Sequence, residues 1–131
     1  MSGKIEIMRK FMKLFVESSP EEACRRYVSE DFELHEPPEL PQGGIFTGQD
    51  ASLRVSEIYR GIWDVEFHES VLFDVPDSDV VVARYLTTWI NRVTGKSISE
   101  PIVELNTIIE GKIKKMEVYH FDAAGLLGTM N

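Results

Sequence analysis

Glu104 and Asn106 stand two positions apart in the run Ser97 to Ile109, with Ile102 and Ile108 beside them at the same spacing. In an extended chain side chains alternate with period two, so these four share one face, while Val103, Leu105, Thr107 and Ile109 take the other. An acid and an amide among isoleucines can form the polar floor of an otherwise apolar cavity, the composition that a small-molecule pocket needs. A carboxyl group in such a water-poor cleft is driven toward neutral pKa, where it can both take and return a proton. The same spacing also fits a mixed surface face.

Three histidines add acid–base candidates. His35 ends a short apolar run just before Glu36-Pro37-Pro38-Glu39-Leu40-Pro41-Gln42-Gly43-Gly44. An imidazole there, with an unperturbed pKa of about 6.5, suits proton shuttling or donation to a carbonyl, and equally suits a rim histidine bonded to backbone or water. His120 shares a face with Met116 and Val118 and is the weaker candidate, and His68 lies beside Glu66 and Glu69 and reads as solvated. None of the three has the close pairing of a metal-binding helix or ribbon, so no metal is expected. Neither a G-x-G-x-x-G nor a Walker A pattern occurs, and no cofactor is expected.

These residues must be held by elements that the rest of the chain specifies. The runs around Glu104 and His120 are separated by Glu110-Gly111, which predicts a hairpin. Ile5, Met8, Met12 and Phe15 recur at helical spacing and predict a helix over 4–17. Ser19, Pro20 and Glu22 form the pattern of a capping box with proline at the first helical position, predicting a second helix over 20–29. A short strand at 32–35 and a loop of prolines and glycines follow, the loop serving as rim or lid, and then a third helix over 49–60. From Val65 to Asp122 the period becomes two, broken by turns at Pro76-Asp77-Ser78-Asp79 and Thr94-Gly95-Lys96. Val65, Phe67, Glu69, Val71 and Phe73 read as one face of the first of these strands. The result is an α+β fold with N-terminal helices packed on a curved antiparallel sheet.

The chain has 131 residues, which suits one domain spanning 1–131. Its 14 basic and 22 acidic residues give a formal charge of -8, which argues against nucleic acid and anionic membrane as partners. Cys24 is the only cysteine, which excludes an intrachain disulfide, and it reads as a small packed apolar residue. MSGKIEIMRKF lacks an uninterrupted apolar stretch and a small-residue cleavage site, so the expected location is the cytoplasm. Val81, Ala83 and Tyr85 oppose Val80, Val82 and Leu86, making the sheet apolar on both faces. Three helices cover only one side, so a homodimer through the other sheet face is expected.

Several local signatures carry a family resemblance. They are Tyr27-Val28-Ser29-Glu30-Asp31-Phe32, Leu40-Pro41-Gln42-Gly43-Gly44 with Phe46-Thr47-Gly48, Glu110-Gly111-Lys112-Ile113, and Val118-Tyr119-His120-Phe121-Asp122. In order and spacing the chain resembles SnoaL-like proteins of the nuclear transport factor 2-like superfamily, which includes ketosteroid isomerase and polyketide cyclases, over nearly its whole length. The resemblance implies the cone-shaped fold of that superfamily. It also places Glu104 at the position of the acid/base aspartate of the cyclases, one methylene longer, and implies that Tyr27, Trp63, Trp89 and Tyr119 border the cavity. The cyclases carry a histidine near Trp89 that this chain lacks.

Two function classes follow from that resemblance. One is an isomerase- or cyclase-type enzyme acting on a small, largely apolar, carbonyl-containing cyclic compound. Glu104 would remove a proton while Tyr27, His35, Asn106 or Tyr119 steadies the enolate oxygen, and Trp63 and Trp89 hold the ligand. The other is a non-catalytic small-molecule binding protein using the same pocket. A dimeric adaptor of the same fold is a third reading.

Overall fold

The computed structural model describes residues 3–131. Two helices lead, α1 (Gly3–Glu17) and α2 (Pro20–Tyr27), followed by strands β1 (Val28–Glu36) and β2 (Gly44–Thr47) and helix α3 (Ala51–Arg60). Four long strands come next, β3 (Trp63–Asp74), β4 (Val80–Asn91), β5 (Ser97–Ile109) and β6 (Lys112–His120), and a short helix α4 (Ala123–Gly128) ends the chain. The six strands form one sheet in the order β2-β1-β6-β5-β4-β3. Every neighbouring pair is antiparallel except β1 with β6, which run parallel. The sheet is therefore mixed rather than wholly antiparallel, because β1 reaches β6 from the far end of the chain instead of through a hairpin.

Local chemistry explains the element ends. Ser19 caps α2 by accepting a hydrogen bond from the Glu22 amide at 3.1 Å, and Pro20 begins the helix. The Glu22 side chain does not return a bond to Ser19 as the capping-box pattern predicts; it pairs with Arg25 and Arg26 one turn on. Glu110 and Gly111 both take positive φ, 51° and 78°, as a tight two-residue hairpin between right-twisted strands requires. Helix α4 is absent from the sequence reading, which ran the last strand to Asp122. Asp122 caps this helix by accepting from the Gly125 amide at 2.8 Å, and Leu126 is fully buried.

Bulges curve the sheet and reset its faces. In β3 the register breaks between His68 and Val71, and Glu69 takes φ 51°. The single face read through Val65, Phe67, Glu69, Val71 and Phe73 is thereby split: Phe67 and Leu72 face the helices, whereas Val71 and Phe73 are exposed. A second break, between Thr107 and Ile108, falls opposite β6. β4 and β5 keep strict alternation, with Val81, Ala83, Tyr85, Thr87 and Trp89 buried opposite Ile102, Glu104 and Asn106. One cluster joins Val81, Tyr85, Trp89 and Ile102 to Met8 and Phe11 of α1, Ala23 and Cys24 of α2 and Val55 of α3, so the helices close the concave face of an open, curved sheet. No helix among the described residues is long and apolar enough to cross a membrane.

Candidate active site

Between the helices and the sheet lies a cavity of about 590 Å³. Phe11, Met12 and Phe15 of α1, Val55 and Tyr59 of α3, Leu34 of β1, Phe67 and Leu72 of β3, Trp89 of β4, Ile102 of β5, and Met116 and Val118 of β6 give it a mostly apolar and aromatic wall. One stretch of the wall is polar, made by exposed Arg9, Lys13 and Glu17 of α1 and by half-buried His68 with exposed Glu69 and Ser70 of β3. The other polar side chains are Glu104, Tyr85, Tyr59, Glu36 and His120 from the sheet and α3, and Gln42 and Ser52 from the β1–β2 loop and the first turn of α3.

Glu104 is 9% exposed, and the Tyr85 hydroxyl donates a hydrogen bond to its Oε2. None of the ion pairs among the described residues includes it. Burial raises its pKa, the Tyr85 bond draws it down, nearby Glu36 raises it further, and Asn106 and His120 lower it, leaving it at about 7. Asn106 lies under the floor, fully buried, donating to the Val81 carbonyl at 3.3 Å. Burial raises the pKa of Tyr85 well above its ordinary value and that of Tyr59 above its own, so both phenols remain protonated donors.

Beside this pair sits a buried charge cluster. His120 donates through Nδ1 to Glu100 Oε2 at 2.7 Å, and its Nε2 lies 3.8 Å from Glu36 Oε1. Glu100 is 1% exposed and also accepts from the Asp122 amide at 2.7 Å. Burial alone would lower the pKa of His120; its bonds to Glu100 and Glu36 outweigh that and raise it to about 9, so the ring is cationic at neutral pH. Burial raises the Glu36 carboxyl, partly offset by His120. The Trp89 ring lies 5.8 Å from the His120 ring, and its indole N–H donates to Thr87 Oγ1 at 2.7 Å.

Of the residues singled out from the sequence, Glu104 and Trp89 line the cavity. His35 does not: β1 turns Phe32, Leu34 and Glu36 inward, so His35 faces a separate open groove and pairs with Glu33 at 2.9 Å. Tyr119 is 52% exposed and shares that groove, its neighbours Val118 and His120 being the inward ones. Tyr27 lies at the α2–β1 junction, outside the cavity wall. Trp63 is wholly buried behind Trp89, its indole N–H donating to Thr129 Oγ1 at 2.8 Å. The grouping of His120 with Met116 and Val118 holds, and their common face is the cavity face, so the weaker histidine is the one that reaches the site. His68 is half-buried at the cavity wall and bonds Thr88 at 3.2 Å rather than being solvated.

Glu36, Tyr59, Tyr85 and Glu100 were missed, and period two contained the signal for three of them. Extending the Ile102–Glu104 face back one step reaches Glu100, extending Phe32–Leu34 forward reaches Glu36, and Val81–Ala83 leads to Tyr85. Cys24 is buried, and burial pushes its thiol up to about 11, an unreactive group. Among the described residues no cluster of three or more histidine, cysteine or acidic side chains is arranged to hold a metal ion.

Helices packed on an open, curved sheet around such a cavity define the NTF2-like cone. No protein-family profile matches the chain, and no curated protein matches it in sequence. Solved structures do match in three dimensions. An NTF2-like protein of Burkholderia thailandensis E264 superposes with a TM-score of 0.88 at 20% identity, over 100% of this chain and 99% of that one. A protein of Xanthomonas campestris pv. campestris provisionally named a polyketide cyclase gives 0.79 at 13% identity, over 98% and 96%. TerC, co-crystallised with polyporic acid, gives 0.80 at 16% identity, over 98% of each chain. The resemblance to NTF2-like and SnoaL-like proteins read from the sequence thus stands at the level of the fold.

Proposed function

We propose that the chain is an acid–base enzyme of the isomerase or cyclase type, acting on a small, largely apolar, carbonyl-containing cyclic compound. One observation carries this reading. Glu104 stands in a largely apolar cavity, in no ion pair among the described residues, at a pKa of about 7, which suits a group that must both accept and return a proton. Its carboxylate takes a proton from the carbon next to the ligand carbonyl, and the C–H electron pair moves onto the carbonyl oxygen as an enolate. Tyr59 and cationic His120 line the same cavity and donate hydrogen bonds to that oxygen. Return of the proton to a different carbon isomerises the ligand. Attack by the enolate carbon on a second carbonyl of the same molecule closes a ring, the new alkoxide taking the proton from Glu104.

The second reading is a ligand-binding protein without turnover. It draws on Tyr85, whose hydroxyl already occupies one oxygen of Glu104. Deuterium exchange at the carbon beside the carbonyl of 1-tetralone, followed by proton NMR in D2O, separates the two. Under the enzyme reading the wild type accelerates exchange, and Glu104→Gln lowers the rate by about 10²- to 10⁴-fold while binding persists. Binding without accelerated exchange supports the second reading and sinks the first.

A further inference from the structure

Glu36 is a buried carboxyl that the chemistry above leaves unused. Pro37 and Pro38 stop β1 at Glu36, since neither has an amide proton to donate to a ladder, while β6 runs on through His120. The parallel pair therefore parts at this end, and an open groove lies between the parting chains, bordered by residues 35–39 on one side and 117–120 on the other. Three of the described residues, Glu36, Val118 and His120, border both this groove and the cavity that holds Glu104. Of these, Glu36 and His120 can carry a proton and Val118 cannot.

Strand register sets the ionisable groups on both flanks of β6. Glu104 of β5 lies opposite Val118, and Ile102 lies opposite His120, so Glu104 and His120 form a diagonal pair on the concave face, a separation that long side chains span. On the other flank His35 pairs with Glu117, which puts Glu36 in phase with Val118 on that same face. His120 thus stands between two carboxyls. Its Nδ1 is committed to Glu100 at 2.7 Å, and its Nε2 lies 3.8 Å from Glu36 Oε1, a gap that a small side-chain rotation closes.

We infer that His120 and Glu36 form a proton relay from the cavity to the groove, through which Glu104 discharges its proton to solvent while a ligand fills the cavity. This rests on the reading of Glu104 as the base that takes a proton from the ligand. A ligand seated over Glu104 excludes water from it, so without a second route that proton only returns to the ligand. The relay conserves protons. While Tyr59 holds the enolate oxygen, the cationic ring gives its Nε2 proton to the Glu36 carboxylate, which releases it to water in the groove. The freed Nε2 lone pair then takes the proton of Glu104, leaving that carboxylate ionised and the ring a cation again. The Nδ1 proton stays with Glu100 throughout.

Washout of deuterium and of tritium from 1-tetralone labelled beside its carbonyl, each followed in ordinary water at saturating ligand, tests the relay. Where Glu104 discharges quickly, breaking the bond to carbon limits washout, and deuterium leaves faster than tritium. Where discharge is slow, the label returns many times before it escapes, and the two isotopes leave at nearly equal rates. The wild type should show the first pattern. Glu36→Gln keeps the shape of the side chain and removes the proton carrier, so washout should fall by about tenfold or more and the two rates should converge. Glu36→Asp, which keeps the carboxyl at shorter reach, should fall between, and it decides the matter if Glu36→Gln does not fold. A carboxyl with a merely structural role would slow both washouts without changing their ratio; an unchanged ratio in either variant overturns the inference, as do equal rates for the two isotopes in the wild type. Washout that depends on Glu104 and ignores Glu36 sinks the relay alone. A wild type that does not accelerate washout sinks the relay together with the reading of Glu104 as a base.

Discussion

At the scale of residues the protein keeps several ionisable groups away from water, and that arrangement makes stability depend on pH. The Glu104 carboxyl is raised from 4.5 to about 7, so between those values the folded state holds a proton that the unfolded chain has released. Its contribution is fully present below pH 4.5 and is lost as pH rises through 7, a change on the order of 3 kcal/mol. His120 is raised from 6.5 to about 9, so its contribution is present below 6.5 and is lost as pH rises through 9. Both act in one direction, and the melting temperature should fall from about pH 5 to pH 9. Glu104→Gln should flatten the part between pH 4.5 and 7 and leave the part above it; a scan that keeps its slope in the variant would remove Glu104 from this account. His120→Gln strands Glu100 and Glu36, both buried, without their cation. Urea unfolding at pH 7 should show a loss of about 3–5 kcal/mol that shrinks under acid conditions, where the carboxyls protonate.

At the scale of elements, two short features decide what the cavity contains. The β1–β2 loop is closed by backbone bonds around Gly43, where a Cβ has no room. Gly43→Ala should therefore destabilise the fold by about 1–3 kcal/mol through steric displacement of backbone, and crystallography of the variant should find the Gln42 side chain moved from the cavity. The bulge at Glu69 is the second feature. It rotates the end of β3 so that Leu72 enters the cavity while Val71 and Phe73 turn to the outer face.

At the scale of the whole molecule, the sheet is covered on its concave side and open on its convex side. Val82, Leu86, Val103 and Leu105 form a half-buried apolar centre there, with Phe73 and Tyr119 half exposed nearby. A second copy packed on this face would cover it with two-fold symmetry. Light scattering at micromolar concentration should return twice the chain mass of 15.0 kDa, and Leu105→Arg should shift it toward the single-chain value without loss of secondary structure. A wild-type mass near that of one chain would end the dimer proposal.

The sequence by itself determined the elements and their facing wherever a local rule operates. Helical spacing marked α1, Ser19 and Pro20 marked the start of α2, Glu110-Gly111 marked the last hairpin, and period two put Glu104 and Asn106 on one face of β5 with Ile102 and Ile108, while only the packing of the helices made that face the buried one. Those signals rest on side-chain geometry within a few residues, and the chain states them directly. What faces what across the sheet was decided only in three dimensions. The parallel pairing of β1 with β6 brings Glu36 to His120, residues 84 positions apart, and no local pattern encodes that approach. The bulges in β3 and opposite Ile108 change the phase of alternation partway along a strand, so counting in twos fails beyond them. His35 and Tyr119 lie outside the cavity for a related reason: each is one residue from the inward side chain, and in a pleated strand one residue is the whole thickness of the sheet.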